Sequence, residues 1–191
     1  MKSLAFFAVL LGSSQAIACE LSLVTPARSA LTNPVQASAS LTDDVLTVNY
    51  SVSAPQLNAR RVLRPGQYPY DFDVVETFVT FSETGFPYFE FEVSPFNQTL
   101  QIRIVSAREH HEGVDLGLIS KAAISPGGWT AEMKIPLKAL GWDGDPAKVS
   151  GNFYAILGQG RQRSFWSAFL PKAKKADFHQ PQYFKPLLSC S

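Results

Sequence analysis

Glu90 and Glu92 stand two positions apart in Tyr88-Phe89-Glu90-Phe91-Glu92-Val93, a run that alternates polar with apolar residues. In a strand that spacing sends both carboxylates to one face and Phe89, Phe91 and Val93 to the other. A third acid, Glu76, belongs to a β-type run at residues 74–81. A further run at residues 100–105 alternates Leu100, Ile102 and Ile104 with Gln101 and Arg103. With the apolar sets on a core, Gln101 and Arg103 are expected beside Glu90 and Glu92 on a shared polar face. Glu76, Glu90, Glu92 and Arg103 could then line a concave ligand-binding face. The same residues could instead form a solvent-exposed ion network, worth about 0.2–1 kcal/mol per pair. Two carboxylates also raise the question of acid–base catalysis. Nothing in the sequence marks either for a raised pKa, however, and the chain is small for a substrate cleft. There is no Ser-His-Asp signature, zinc spacing or phosphate loop. The expectation is recognition without catalysis.

Metal and cofactor chemistry has less footing. Asp73, Asp143, Asp145 and Asp177 are oxygen ligands of the kind a structural Ca²⁺ takes. Yet Trp142-Asp143-Gly144-Asp145-Pro146 is short of a full ligand loop, and Asp-Gly more often only turns the chain. His110 and His111 are adjacent, hence on opposite faces of any strand, which is poor for chelating one ion. His179 suits a structural hydrogen bond. Haem wants an axial Met or His facing a pocket, whereas Met133 alternates inward as core filling. No resident cofactor is expected, structural Ca²⁺ being the one exception the sequence leaves open.

These residues need strands to position them. The runs at 74–81, 88–93 and 100–105 are joined by Ser82–Pro87 and Ser94–Thr99, built of turn-forming residues, and read as an antiparallel meander. Upstream, residues 20–24 form a short strand. Val35, Ala37, Ala39 and Leu41 then alternate with small polar residues, Thr42-Asp43-Asp44 turns, and residues 45–52 return as a hairpin with Leu46, Val48, Tyr50 and Val52 inward. The connection at 54–73 is long and carries Arg60, Arg61, Arg64, Tyr68 and Tyr70; it is either functional or a solvated basic loop. After the turn Ser125–Gly128, residues 129–135 put Trp129, Ala131, Met133 and Ile135 inward. Residues 136–140 allow one helical turn capped by Gly141, residues 151–157 form a strand, and a last strand at 186–190 closes the domain. The stretch from Gly158, with Phe165, Trp166 and Phe178, reads as irregular. About nine or ten strands and no substantial helix predict an all-β antiparallel sandwich or related barrel.

Length and composition set the frame. With 191 residues and 46% hydrophobic content, one ordinary domain with a real core is expected, acting as a monomer. A net charge of +1 argues against a polyanion partner such as nucleic acid. Residues 1–18 read as a secretory signal: Lys2, the apolar run Leu4–Leu11, and the small-x-small site Ala16-Ile17-Ala18. That run is too short to span a bilayer, so a protein secreted or periplasmic, beginning at Cys19 and occupying residues 19–191, is expected. Its two cysteines, Cys19 and Cys190, lie at opposite ends and are expected to form a disulfide, worth up to about 5 kcal/mol in the chain-entropy picture. The alternative is a lipid-anchored Cys19. It fits worse, because Ala16 stands where Leu is preferred and Cys190 would be left unpaired.

Five segments resemble, in order, the family 9 carbohydrate-binding modules, part of the wider DOMON-like group of β-sandwiches. They are Asp73-Val74-Val75-Glu76-Thr77-Phe78, Tyr88-Phe89-Glu90-Phe91-Glu92-Val93-Ser94-Pro95, Gly128-Trp129-Thr130-Ala131-Glu132-Met133-Lys134-Ile135-Pro136, Gly151-Asn152-Phe153-Tyr154, and Asp177-Phe178-His179-Gln180-Pro181-Gln182-Tyr183-Phe184. The resemblance spans residues 70–187 and implies a jelly-roll-type sandwich that binds a sugar, often at a chain end, between two aromatic rings. The clamp would fall to Tyr70 (or Tyr68) and Trp166, assisted by Glu76. A pyranose offers an apolar face to a ring while carboxylates, Arg103 and amides take its hydroxyls. The resemblance also admits a haem-binding redox protein of the DOMON type, and the paired carboxylates a glycan-processing enzyme.

Overall fold

A computed structural model describes residues 17–25, 34–107, 109–169 and 177–189. The first sixteen residues of the expected signal and Cys190 of the expected disulfide lie outside the described residues.

Two antiparallel sheets face each other. The first has five strands, in the order β1 (Ile17–Ser22), β2 (Val35–Thr42), β3 (Val45–Ser53), β9 (Gly128–Pro136) and β8 (Ile119–Ser125). The second runs β11 (Ser164–Ser167), β10 (Ser150–Leu157), β4 (Val74–Thr80), β5 (Tyr88–Val93), β6 (Thr99–Ser106) and β7 (Glu109–Glu112), with β12 (Lys185–Pro186) also paired to β10. The protein is therefore an all-β antiparallel sandwich. The described helical elements are 3₁₀ turns of three or four residues, and none of them is long and apolar enough to cross a membrane.

Alternation explains the core. Leu46, Val48, Tyr50 and Val52 of β3 stand opposite Ile135, Met133, Ala131 and Trp129 of β9, all buried between the sheets. From the second sheet Val75, Val79, Phe89, Phe91, Phe153 and Ala155 meet them. The Tyr50 hydroxyl crosses this layer, donating to the Glu76 carbonyl at 2.6 Å and lying 2.8 Å from Thr77 Oγ1. A buried phenol is satisfied there, and the two sheets are tied together. The expected turn after β9 forms at Leu137–Leu140, closed by Gly141 in the left-handed region at φ 92°.

Three differences from the sequence reading matter. There are twelve described strands, because β7, β8 and the four-residue β11 were hidden in segments without clean alternation; conversely, the closing strand spans two residues only. Cleavage after Ala18 would fall inside β1 and leave residues 19–22 on β2. The third concerns β6, whose faces are reversed. Leu100, Ile102 and Ile104 do not join the core between the sheets; they form a second apolar cluster with Phe78, Tyr88 and Tyr154 on the outer face of the second sheet. The register causes this, since Glu90 stands opposite Ile102 and Glu92 opposite Leu100, while Arg103 stands opposite Phe89 and Gln101 opposite Phe91. Gln101 Oε1 there accepts from the backbone of Leu116 and Leu118 at 3.0 and 3.2 Å, holding the following chain against the sheet.

Candidate functional site

Because β4 and β5 are buried on both faces, their outward residues are floored by side chains rather than water. One row across the outer face reads Tyr154, Glu76, Glu92, Leu100 from β10 to β6; the next reads Asn152, Phe78, Glu90, Ile102, Glu112 from β10 to β7. Three carboxyls thus occupy adjacent positions on two neighbouring strands. Relative exposures of 2% for Glu76, 4% for Glu90 and 0% for Glu92 place them among the most buried groups in the molecule.

Loops raise walls around this floor. The 3₁₀ turn Pro69–Asp71 is closed by Asp71 Oδ2, which accepts from the Tyr68 N–H at 2.9 Å. It delivers Tyr68 and Tyr70 as a parallel stack with centroids 5.0 Å apart. The Arg163 guanidinium donates to the Tyr70 carbonyl and lies over the Phe165 ring at 5.3 Å, so one side chain ties both positions. Asp73, 1% exposed, fastens the base of the loop by accepting from Asn58 N at 2.9 Å and Gly158 N at 2.7 Å. Residues 177–179 add another wall. Phe178 stacks on Tyr154 with centroids 4.1 Å apart, and His179 Nδ1 lies 2.8 Å from the Tyr88 hydroxyl. The result is an open cleft of about 620 Å³, with Tyr70, Glu76, Glu90, Glu92, Phe165 and Phe178 among its lining residues.

Electrostatics in the cleft are unusual. Among the described residues Glu90 Oε2 and both Glu92 carboxyl oxygens are buried with no well-formed hydrogen bond; Glu92 faces Glu90 and the Tyr70 backbone, and His179 Nδ1 stands 4.0 Å from Glu90 Oε2. Burial disfavours the charged form, and each carboxyl also faces the others. Desolvation pushes Glu90 up to about 7, a poorly formed hydrogen bond with Glu92 opposing the rise and the Glu112 charge adding to it. Desolvation and the neighbouring carboxylates hold Glu76 and Glu92 well above the usual range, the Arg163 charge partly offsetting this for Glu76. Desolvation and then the Glu112 and Glu92 charges push the Tyr70 hydroxyl up to about 12. His179 is pulled below its ordinary value by burial, against the opposing charge of Asp177. The sequence reading, which found no sign of a raised carboxyl pKa, is corrected here: the missing signal was burial.

Of the residues proposed from sequence, Tyr70, Glu76 and Glu90 come together in the cleft, and Tyr68 stacks behind Tyr70. Arg103 does not join them, being exposed on the other face of β6 for the register reason given above. Trp166 is also displaced. It stands opposite Ala155 in the main core, 6% exposed, with its indole N–H donating to Ser164 Oγ at 2.9 Å. Neighbours on a strand point oppositely, so Phe165, opposite Ile156, takes the cleft position. Sequence reasoning missed Phe165, Phe178 and Tyr88 as lining residues. A four-residue strand with adjacent aromatics carries no face signal, though the alternation of Tyr88 with Phe89 could have placed Tyr88 beside Glu90.

The acids weighed for calcium are engaged locally. Asp73 holds the loop base, Asp143 pairs with Lys148, Asp145 caps a turn through Ala147 N at 3.0 Å, and Asp177 accepts from His179 N at 3.1 Å. Among the described residues no group of three or more His, Cys, Asp or Glu is arranged to hold a metal ion. Met133 is fully buried in the main core.

No family model matches the chain. It is 29% identical over 151 residues to the UPF0462 protein C4orf33 homolog of Mus musculus, covering 73% of this chain and 75% of that one. The Rattus norvegicus homolog is 28% identical over 130 residues, covering 64% and 62%. Among solved structures, a proposed carbohydrate-binding protein from Bacteroides uniformis superposes with a TM-score of 0.66 at 20% identity, covering 87% of this chain and 83% of that one. A family 9 carbohydrate-binding module from Caldicellulosiruptor kristjanssonii gives 0.52 at 20% identity in complex with cellotriose, covering 85% and 75%. Another such structure, in complex with glucose, gives 0.55 at 18% identity, covering 88% and 81%. The fold is family 9 carbohydrate-binding-module-like.

Proposed function

We propose that this chain, built on the sandwich used by those sugar-binding modules, is an exported, non-catalytic protein that holds a saccharide, such as the end of a glycan, in the cleft of the second sheet. Tyr70 on one side and Phe165 with Phe178 on another offer ring faces to a pyranose, and Glu76, Glu90 and Glu92 take its hydroxyls. The observation that carries this reading is the set of buried carboxyl oxygens that lack a well-formed hydrogen bond among the described residues, between aromatic walls. Such groups cost stability unless something hydrogen-bonds them. Export, removal of residues 1–18, a monomeric state and a Cys19–Cys190 disulfide belong to the same proposal.

A glycan array probed with residues 19–191 tests it, beside Tyr70→Ala and Phe165→Ala variants whose folding is checked by circular dichroism. Truncating either ring is expected to weaken binding of the wild-type ligand by about tenfold. Binding untouched by both variants would move the site elsewhere. Failure of the wild type on every glycan would end the sugar reading.

A further inference from the structure

The cleft is not merely polar; it is acidic. Among the described residues its lining includes Glu76, Glu90, Glu92, Glu109, Glu112 and Asp177 and no Lys or Arg; of the described lining residues His110 and His179 can become cationic, His179 Nδ1 standing 4.0 Å from Glu90 Oε2. Arg163 approaches from outside the lining, and its guanidinium is engaged with the Tyr70 carbonyl and the Phe165 ring. Both Glu92 carboxyl oxygens and Glu90 Oε2 end in the cleft beside each other with no well-formed hydrogen bond among the described residues, on residues 0% and 4% exposed.

A neutral sugar hydroxyl satisfies one acceptor and leaves the carboxyls holding their protons. An ammonium group supplies three donors and a positive charge at once. Aromatic rings beside the carboxyls, those of Tyr70, Tyr88 and Phe165, suit a cation as well as a pyranose face. We infer that the saccharide taken here carries a free amino group, an amino-sugar unit whose ammonium sits against Glu90 and Glu92. The inference rests on the saccharide reading above and narrows it. Without ligand, the raised carboxyl pKa values keep protons on the cluster near neutrality. A bound ammonium favours the carboxylates, so each carboxyl that ionises breaks its O–H bond and passes that proton to solvent. Tyr70 and Tyr88, whose hydroxyls burial pushes further up, stay protonated throughout.

The test is isothermal titration calorimetry of the mature chain just below neutral pH with three disaccharides: β-1,4-linked glucosamine, its N-acetylated form, and cellobiose. Each titration is run in two buffers of different ionisation enthalpy, which reads proton release directly. The amine form is expected to bind at least about tenfold tighter than either neutral sugar, because charge-assisted hydrogen bonds exceed neutral ones, and to release protons. Glu92→Gln should collapse that ratio toward one; should this variant fail to fold, the wild-type ratio and proton count decide alone. A neutral sugar binding as tightly as the amine form, or no proton release, overturns the inference and leaves the sugar reading standing. If no saccharide binds, both fall. Spermidine binding as tightly as the amino sugar would also overturn it, by removing the sugar from the recognition.

Discussion

Glu90 ties the site to the stability of the fold. Its pKa rises from an ordinary 4.5 to about 7 on folding, chiefly through desolvation. Below the unfolded value both states hold the proton and nothing is lost. Between about 4.5 and 7 the unfolded chain releases it first, so stability falls as pH rises through this window and then levels. Glu76 and Glu92, raised by the same burial, act in the same direction. Glu90→Gln, which cannot ionise, should therefore gain on the wild type by up to about 3 kcal/mol between the two ends of that window in urea melts. Equal pH slopes for the two proteins would show that Glu90 titrates normally. At this scale the sequence was half legible. Alternation placed Glu90 and Glu92 on one face, but the burial that gives them their character comes from Ile102, Phe78 and the loops above.

At the scale of elements, β10 matters because it presses on β4 beneath the cleft. A Cβ on Gly151 would lie 1.8 Å from the Phe78 carbonyl oxygen and 2.8 Å from its carbon, with Leu187 Cδ1 at 3.1 Å. Those backbone atoms belong to the central pairing and cannot move aside cheaply. Gly151→Ala is expected to destabilise the protein by about 3 kcal/mol, seen as a lowered urea midpoint; an unchanged midpoint would mean that β10 stands further from β4. Elements with one apolar face, such as β3 and β9, were readable because period two has a single solution there. In β6 the same period admits two solutions, since this sheet buries apolar side chains on both faces. Pairing register decided between them, and register depends on partner strands rather than on β6 itself.

For the whole molecule, the two-layer architecture was legible from many short alternating runs punctuated by turns, whereas the placement of the candidate cleft on an outer sheet face was not. An apolar cluster outside the main core looks, in sequence, like more core. The chain ends belong to this scale too. Cys19 is buried in β1 opposite Ala39. The proposed bridge to Cys190 predicts no titratable thiol in the unreduced, denatured mature protein and two after reduction; two thiols before reduction would remove it. Closing so long a loop is expected to raise the thermal midpoint relative to Cys19→Ser.

The placement of the three tryptophans has an optical consequence. Trp129, Trp142 and Trp166 all lie in the main core cluster, and the cleft is lined by tyrosine and phenylalanine instead. Indole emission should therefore report the integrity of the sandwich and remain nearly blind to the occupant of the cleft. A titrant that leaves the tryptophan spectrum still has not thereby failed to bind; a variant that shifts it to the red has lost its fold. One spectrum can separate a damaged scaffold from a damaged site.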